Sequence, residues 1–181
     1  QRLTDLLAGS QVEPQRIVQE AAILADRSDI GEELDRLRIH TIEFDSILDA
    51  FLKRIASYNI QLTAVFGGFE GESYADIPTV LKTVGLVPPE TRVARTKEMK
   101  EIADFAKLLG CKVVALHIGF VPHDTASPLY KQILDVARDV CDHCAKNGQA
   151  LHLETGQESA DGLLQFIGDV QRDNLFINFD P

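Results

Sequence analysis

Short apolar runs alternate with longer amphipathic segments from residue 51 onward, and this alternation restricts the fold more than any other feature. Strands are predicted at 60–66, 112–118, 150–154 and 175–179. Helices are predicted at 52–57, 91–109, 129–146 and 159–170. Strands separated by helices of this length form βαβ crossovers, which place the strands parallel. We therefore predict an α/β fold with about four parallel strands, which is half of an eight-stranded barrel.

The first fifty residues have a different pattern, in which apolar residues recur at helical spacing among many charged residues. Glu32 and Arg36, for example, are four residues apart, as on a solvated helix face. The alternative is a charged interface or a metal site on that face, which the spacing does not select. We predict a helical segment at 1–50 that precedes the partial barrel at 51–181.

The composition argues against some classes of function. The net charge of −10 disfavours a general nucleic-acid-binding or membrane surface, because phosphate groups are bound by basic faces. No apolar stretch approaches the length of a membrane span, and the first residues lack a signal-peptide pattern. Three cysteines are an odd number, so we expect reduced thiols in a cytoplasmic protein.

Polar side chains mark the ends of three predicted strands. In the third strand, alternation puts His152 and Glu154 on one face and two leucines on the other. His117 and Asp180 end two other runs, and Asn178 shares a face with Asp180. Because the carboxyl ends of parallel strands lie at one edge of a sheet, we expect these side chains to gather there. Paired carboxylates are the kind of oxygen ligand that Mn²⁺ and Mg²⁺ prefer.

Two of these residues also have structural explanations. His117 alone fits a hydrogen-bonded core histidine, and Glu154 alone fits a salt bridge to a lysine of the barrel. Their combination with Asp180 at one rim favours a functional site.

Five segments resemble the sugar phosphate isomerase/epimerase family, whose members are xylose-isomerase-like TIM barrels. They occur in the family's order and are FGGFEGESY (66–74), TVGLVP (83–88), HIGFVP (117–122), LETGQE (153–158) and NFDP (178–181). The resemblance covers 51–181 and implies a partial (β/α)8 TIM barrel.

That family implies a divalent cation, Mn²⁺ or Mg²⁺, held by a glutamate after the fifth barrel strand and an aspartate after the sixth. Glu154 matches the glutamate and Asp180 matches the aspartate. The histidine and second glutamate implied after the last two strands have no counterpart in the sequence. His117, Glu158 and Asn178 are predicted to contact the substrate.

The reaction implied by the resemblance is proton transfer next to the carbonyl of a small sugar or sugar phosphate, through an enediolate-like intermediate. Glu154 is predicted to be both a metal ligand and the catalytic acid–base residue. Because part of the ligand set is missing, the prediction is a metal-dependent sugar isomerase/epimerase that is incomplete in this chain.

A second resemblance covers 12–50. The segments QEAAILADRSDI (19–30) and RLRIH (36–40) are similar to the C-terminal region of the YicC-type proteins. That family implies a metal-dependent endoribonuclease that forms an oligomer, although its large N-terminal portion is absent here. Two alternatives to the sugar enzyme follow: an RNA-processing module of the YicC type, or an inactive fusion fragment.

Two further groups of residues are given no role in the site. Cys141 and Cys144 have the spacing of a metal-binding pair, but they lie in a predicted helix without a second pair nearby. Glu70 and Glu72 lie in a predicted loop and are expected to be solvated.

A half-barrel also has two outer strands with unpaired edges, which we place near Leu62 and Phe176. Such edges pair with other chains, so we expect a homo-oligomer or poor solubility.

Overall fold

The computed structural model describes residues 41–156 and 158–180. The helices are α1 (Thr41–Ser57), α2 (Ile77–Thr83), α3 (Arg92–Leu108), α4 (Pro128–Lys146) and α5 (Ala160–Val170). The strands are β1 (Val65–Gly67), β2 (Val113–Leu116), β3 (Ala150–Glu154) and β4 (Leu175–Asn178). The predicted boundary at residue 50 falls within α1, while the predicted helical segment over 1–40 lies outside the described residues.

The four strands of the described residues form one sheet, in the order β1-β2-β3-β4. Every neighbouring pair is parallel, with Leu116 opposite Leu153 and Glu154 opposite Asn178. Parallel strands that follow chain order, each joined to the next through helix, are the arrangement of half a (β/α)8 barrel. The predicted fold class is confirmed.

The alternation predicted for the strands decides which face is covered by helices. Val114, Leu116, Leu151 and Leu153 are at most 1% exposed and belong to the core shared with α3 and α4. His152 and Glu154 are only partly buried, which puts them on the opposite face of the sheet. This face would be the interior of a complete barrel.

Local capping signals explain where two of the helices begin. The hydroxyl of Ser127 accepts the backbone N–H of Tyr130 at the start of α4, at 3.1 Å. The hydroxyl of Ser159 accepts the N–H of Gly162 at the start of α5, at 3.2 Å. Serine is a favoured N-cap because it satisfies a backbone donor that has no partner within the helix.

The first strand is shorter than the predicted 60–66. Pairing with β2 begins where Val65 lies opposite Val114, so β1 has three residues. Just before β2, the thiol of Cys111 approaches the carbonyl oxygen of Leu62 at 3.9 Å, in place of a backbone ladder. The residues before Val65 therefore have no extended partner among the described residues. The predicted edge at Leu62 lies outside the strand, whereas Phe176 does lie on the outer strand β4.

The short helix α2 was not predicted. Its N-cap is Asp76, whose carboxylate accepts the N–H of Thr79 at 2.8 Å, and Pro78 lies in the first turn. An aspartate shortly before a proline is a helix-start signal, although seven residues are too few for a clear apolar period.

All three cysteines of the chain are buried and form no disulfide, in agreement with the predicted reduced thiols. Burial raises the pKa of Cys141 to about 12 and that of Cys144 to about 11. Both lie in the buried stripe of α4, which supports the predicted structural role. None of the helices within the described residues is long and apolar enough to span a membrane.

Candidate functional site

The carboxyl ends of β2, β3 and β4 bring four of the predicted site residues to one edge of the sheet. Glu154 and Asn178 are the last residues of their strands and lie opposite each other. His117 follows the last residue of β2, one position beyond the pair Leu116–Leu153, and so lies level with Glu154. Asp180 lies two residues beyond β4. The structure thus places these residues together, and their individual roles stay predictions.

The ring of His117 is held in a defined orientation. Its Nδ1 accepts the backbone N–H of Gly119 at 3.0 Å, so the proton of the neutral ring is on Nε2. The edge-to-face contact with Tyr74 has a centroid separation of 6.1 Å. A Cβ placed on Gly156 would lie 2.5 Å from Nε2, so the donor nitrogen faces the turn after β3. His117 is therefore held with its ring N–H directed towards Gly156, in the turn that follows Glu154.

The carboxyl group of Glu154 has a perturbed pKa. Partial burial raises the pKa above its ordinary value, a protonated His117 ring would oppose this rise, and the charge of Asp180 adds to it. A raised pKa makes a carboxylate a stronger base towards a proton of a ligand, which is a property of general acid–base residues.

Glu158 lies beside this group, at the turn before α5. A Cβ on Gly156 would be 3.2 Å from its Oε2, so Glu158 and His117 approach the same point of the turn. Its Oε1 is buried and has no hydrogen-bond partner among the described residues. It also lines a cavity of about 40 Å³ together with His123 and Gln165. A buried carboxylate oxygen without a donor is unfavourable, so Glu158 is suited to accept a hydrogen bond from a ligand hydroxyl.

The loop after β1 is fastened by an internal ion pair. Glu72 accepts the N–H of Phe69 at 3.0 Å and that of Gly85 at 2.6 Å. The guanidinium of Arg95 lies 3.9 Å from Glu72 and donates to the carbonyls of Gly85 and Glu70, at 2.9 and 3.0 Å. The side chains of Glu72 and Arg95 are only 10% and 6% exposed. The prediction that Glu72 is solvated is wrong, because the loop folds back over its carboxylate, whereas Glu70 is exposed as expected.

Three residues that were not singled out from the sequence contribute to the site. Tyr74 contacts His117, and Gly156 leaves the space that the His117 ring occupies. Thr155 makes two hydrogen bonds to the backbone of Asp180. The position of Thr155 directly after Glu154 was a usable signal, whereas the contact of Tyr74 depends on the path of a loop.

The described residues contain no group of three or more His, Cys, Asp or Glu side chains placed to hold a metal ion. They do provide two carboxylates, Glu154 and Asp180, at the ends of neighbouring strands. Their oxygen atoms are the donors that Mg²⁺ and Mn²⁺ prefer. The donor chemistry therefore fits a divalent cation, and these two residues would supply part of its coordination shell.

A family model described as "Xylose isomerase-like TIM barrel" matches residues 27–181. The chain belongs to this family. The match begins well before residue 50, so it overlaps the 12–50 stretch that resembled the YicC-type proteins. No comparison supports that second resemblance. None of the curated proteins matches the chain significantly.

Several solved structures share the fold of this xylose isomerase-like chain. A xylose isomerase domain protein from Planctomyces limnophilus is 58% identical, with a TM-score of 0.73 over 76% of this chain and 49% of that chain. A D-psicose 3-epimerase from Clostridium cellulolyticum H10, with D-tagatose, is 14% identical, with a TM-score of 0.55 over 81% and 50%. A xylose isomerase-like TIM barrel protein from Mycobacterium smegmatis, in complex with magnesium, is 18% identical, with a TM-score of 0.52 over 74% and 45%.

The structures from Clostridium cellulolyticum and Mycobacterium smegmatis show only that the fold is shared. This chain spans about half the length of each of the three proteins. The activity of a complete barrel therefore comes to this chain only as a proposal.

Proposed function

We propose that this chain carries one half of the active site of a metal-dependent sugar isomerase or epimerase, with Glu154 and Asp180 as ligands of Mn²⁺ or Mg²⁺. The observation that carries the proposal is the pair of carboxylates at the ends of β3 and β4, beside the oriented ring of His117. Its substrate would be a small sugar or sugar phosphate, a class consistent with the epimerases that share the fold.

A divalent cation bound by these carboxylates would polarise the carbonyl and hydroxyl oxygens of the sugar. Glu154, whose pKa is raised by burial, would take the proton from the carbon next to the carbonyl and return it. The reaction class proceeds through an enediolate-like form of the sugar.

The other residues would orient the sugar. His117 would donate from Nε2 to a sugar oxygen, because its Nδ1 is occupied by the N–H of Gly119. Glu158 would accept a sugar hydroxyl at its unpaired Oε1. Asn178, which lies opposite Glu154 in the sheet, would contact the sugar from β4.

Two measurements test the proposal without requiring complete turnover. Calorimetric titration with Mn²⁺ should detect binding to the wild-type chain, and Glu154→Gln should weaken it about tenfold or more, because a charged ligand is removed. Proton NMR of D-fructose or D-tagatose in deuterium oxide, with Mn²⁺ and the chain, should show deuterium entering at the carbon next to the carbonyl. Glu154→Gln should abolish this exchange.

Glu101→Gln is the matched control, because Glu101 lies on an exposed part of α3 and pairs with Lys97. It should change neither measurement. Equal Mn²⁺ affinity in the wild type and Glu154→Gln would refute Glu154 as a ligand, and the absence of deuterium exchange in the wild type would refute proton transfer by this chain.

A further inference from the structure

The hydroxyl of Thr155 forms a reciprocal pair of hydrogen bonds with the backbone of Asp180. The N–H of Asp180 donates to Oγ1 of Thr155 at 2.9 Å, and Oγ1 donates to the carbonyl oxygen of Asp180 at 2.9 Å. The N–H of Thr155 donates in turn to the carbonyl of Asn178 at 3.0 Å. Thr155 therefore continues the connection between β3 and β4 beyond the last paired residues of the sheet.

This connection matters because Asp180 lies outside the sheet. It is exposed and follows β4 by two residues, where the ladder no longer restrains the backbone. Among the described residues, the hydrogen bonds of the Asp180 backbone are the two that it forms with Thr155. Without them, this exposed residue would be free to adopt other backbone conformations.

We infer that Thr155 is a positioning residue, whose hydroxyl holds Asp180 beside Glu154 so that both carboxylates can bind one divalent cation. This inference rests on the proposed metal-binding function. Thr155 directly follows Glu154 in the chain, so one short segment both supplies a carboxylate and fixes the place of its partner from β4. Thr155 itself is not a ligand, since its hydroxyl is already used in both directions.

A hydroxyl is the group that this role requires. It donates one hydrogen bond and accepts at its lone pairs, so a single atom can bind both the N–H and the carbonyl of one residue. Valine has nearly the shape of threonine but lacks both capacities, whereas serine keeps them. Thr155→Val and Thr155→Ser therefore separate the hydrogen bonds from the volume of the side chain.

The first test is amide hydrogen exchange, followed by NMR on the full chain without metal. Thr155→Val should speed exchange of the Asp180 amide about tenfold, because its acceptor is lost, while Thr155→Ser should leave it protected. Thr63→Val is the control, since Thr63 is exposed and lies before β1, far along the chain from the site. Unchanged exchange at Asp180 in Thr155→Val would overturn the reciprocal bond itself.

The second test is Mn²⁺ affinity by calorimetric titration. Thr155→Val should bind Mn²⁺ about ten to a hundred times more weakly, as is usual when a group that orients a ligand is removed, and both Thr155→Ser and Thr63→Val should bind as the wild type does. Equal affinity in Thr155→Val, with faster exchange at Asp180, would overturn the positioning role but leave the proposed metal site intact. A wild-type chain that binds no Mn²⁺ would overturn the metal site and this role with it.

Discussion

A single methyl group added at Gly85 should disturb the backbone that follows His117, next to the candidate site. Gly85 lies in the loop after α2 with φ at +72°. Its backbone packs directly on Ile118 and Gly119, which follow β2. A Cβ placed on it would overlap the carbonyl carbon and oxygen of Ile118 and lie 2.5 Å from the nitrogen of Gly119. The neighbouring Leu86 donates its N–H to the carbonyl of Ile118 at 2.8 Å, so the two segments cannot separate without losing that bond.

The expected loss of stability in Gly85→Ala has two parts. A left-handed backbone conformation costs a residue with a Cβ about 1–2 kcal/mol. Forcing an extra methyl group against packed atoms costs about 1–3 kcal/mol more, because here the obstacle is backbone rather than a flexible side chain. The free energy of unfolding should therefore fall by about 2–5 kcal/mol, a large share of the stability of a domain of this size.

Substitutions at two other glycines allow the conformational cost to be measured without the steric cost. Gly110 and Gly148 have φ values of +75° and +69°, and a Cβ on either would meet no atom within 4 Å. Gly110→Ala and Gly148→Ala should therefore show the conformational part alone. Urea unfolding followed by circular dichroism provides all three free energies, with the slope of each transition as a check that the same structure unfolds.

The same substitution should also move the site. Ile118 directly follows His117, so displacement of its carbonyl should shift the His117 ring resonances in NMR spectra, whereas Gly110→Ala and Gly148→Ala should leave them in place. A Gly85→Ala chain that is no less stable than both controls would refute the close backbone contact that we describe.

Two further predictions concern the thiols and the outer strand. Because burial raises the pKa of Cys141 to about 12 and that of Cys144 to about 11, these thiols should be unreactive towards a disulfide reagent at pH 8 until the chain is unfolded. Rapid reaction of the folded chain at pH 8 would contradict the burial of these thiols. The stabilisation that comes from keeping them protonated should be complete below the ordinary thiol pKa near 9 and be lost as the pH rises through 11–12. Phe176 and Ile177 are exposed on the outer strand β4, so the wild-type chain should sediment as a dimer or larger species, and Ile177→Lys should favour the monomer. Val93→Lys, at an exposed position on α3, should not change the association, and a monodisperse wild-type monomer would rule the association out.

Strong local periodicity allowed much of the fold to be predicted. The bounds of β3 were predicted as observed, and α4 begins one residue before the predicted 129–146. In both elements the apolar period agrees with the face that is buried, so local preference and packing favour the same structure. Strand β1 was predicted too long because an apolar run becomes a strand only where a neighbour offers its backbone, and β2 offers three pairing positions.

Local sequence was sufficient to predict that strands and helices alternate, that His152 and Glu154 share a face, and that carboxylates lie at the ends of two strands. It also indicated the family, through several segments in a defined order. These properties depend on residues close together in the chain, which periodicity and short motifs report directly.

Which side chains lie together depends on contacts between residues far apart in the chain. Glu72 is largely buried and fastens its loop, because the chain brings the N–H of Gly85, thirteen residues away, within hydrogen-bond distance of its carboxylate. Thr155 meets the backbone of Asp180, twenty-five residues away, because β3 and β4 are neighbours in one register. Such contacts depend on the order of the strands and the path of the loops, and neither can be predicted from the residues next to a side chain in the sequence.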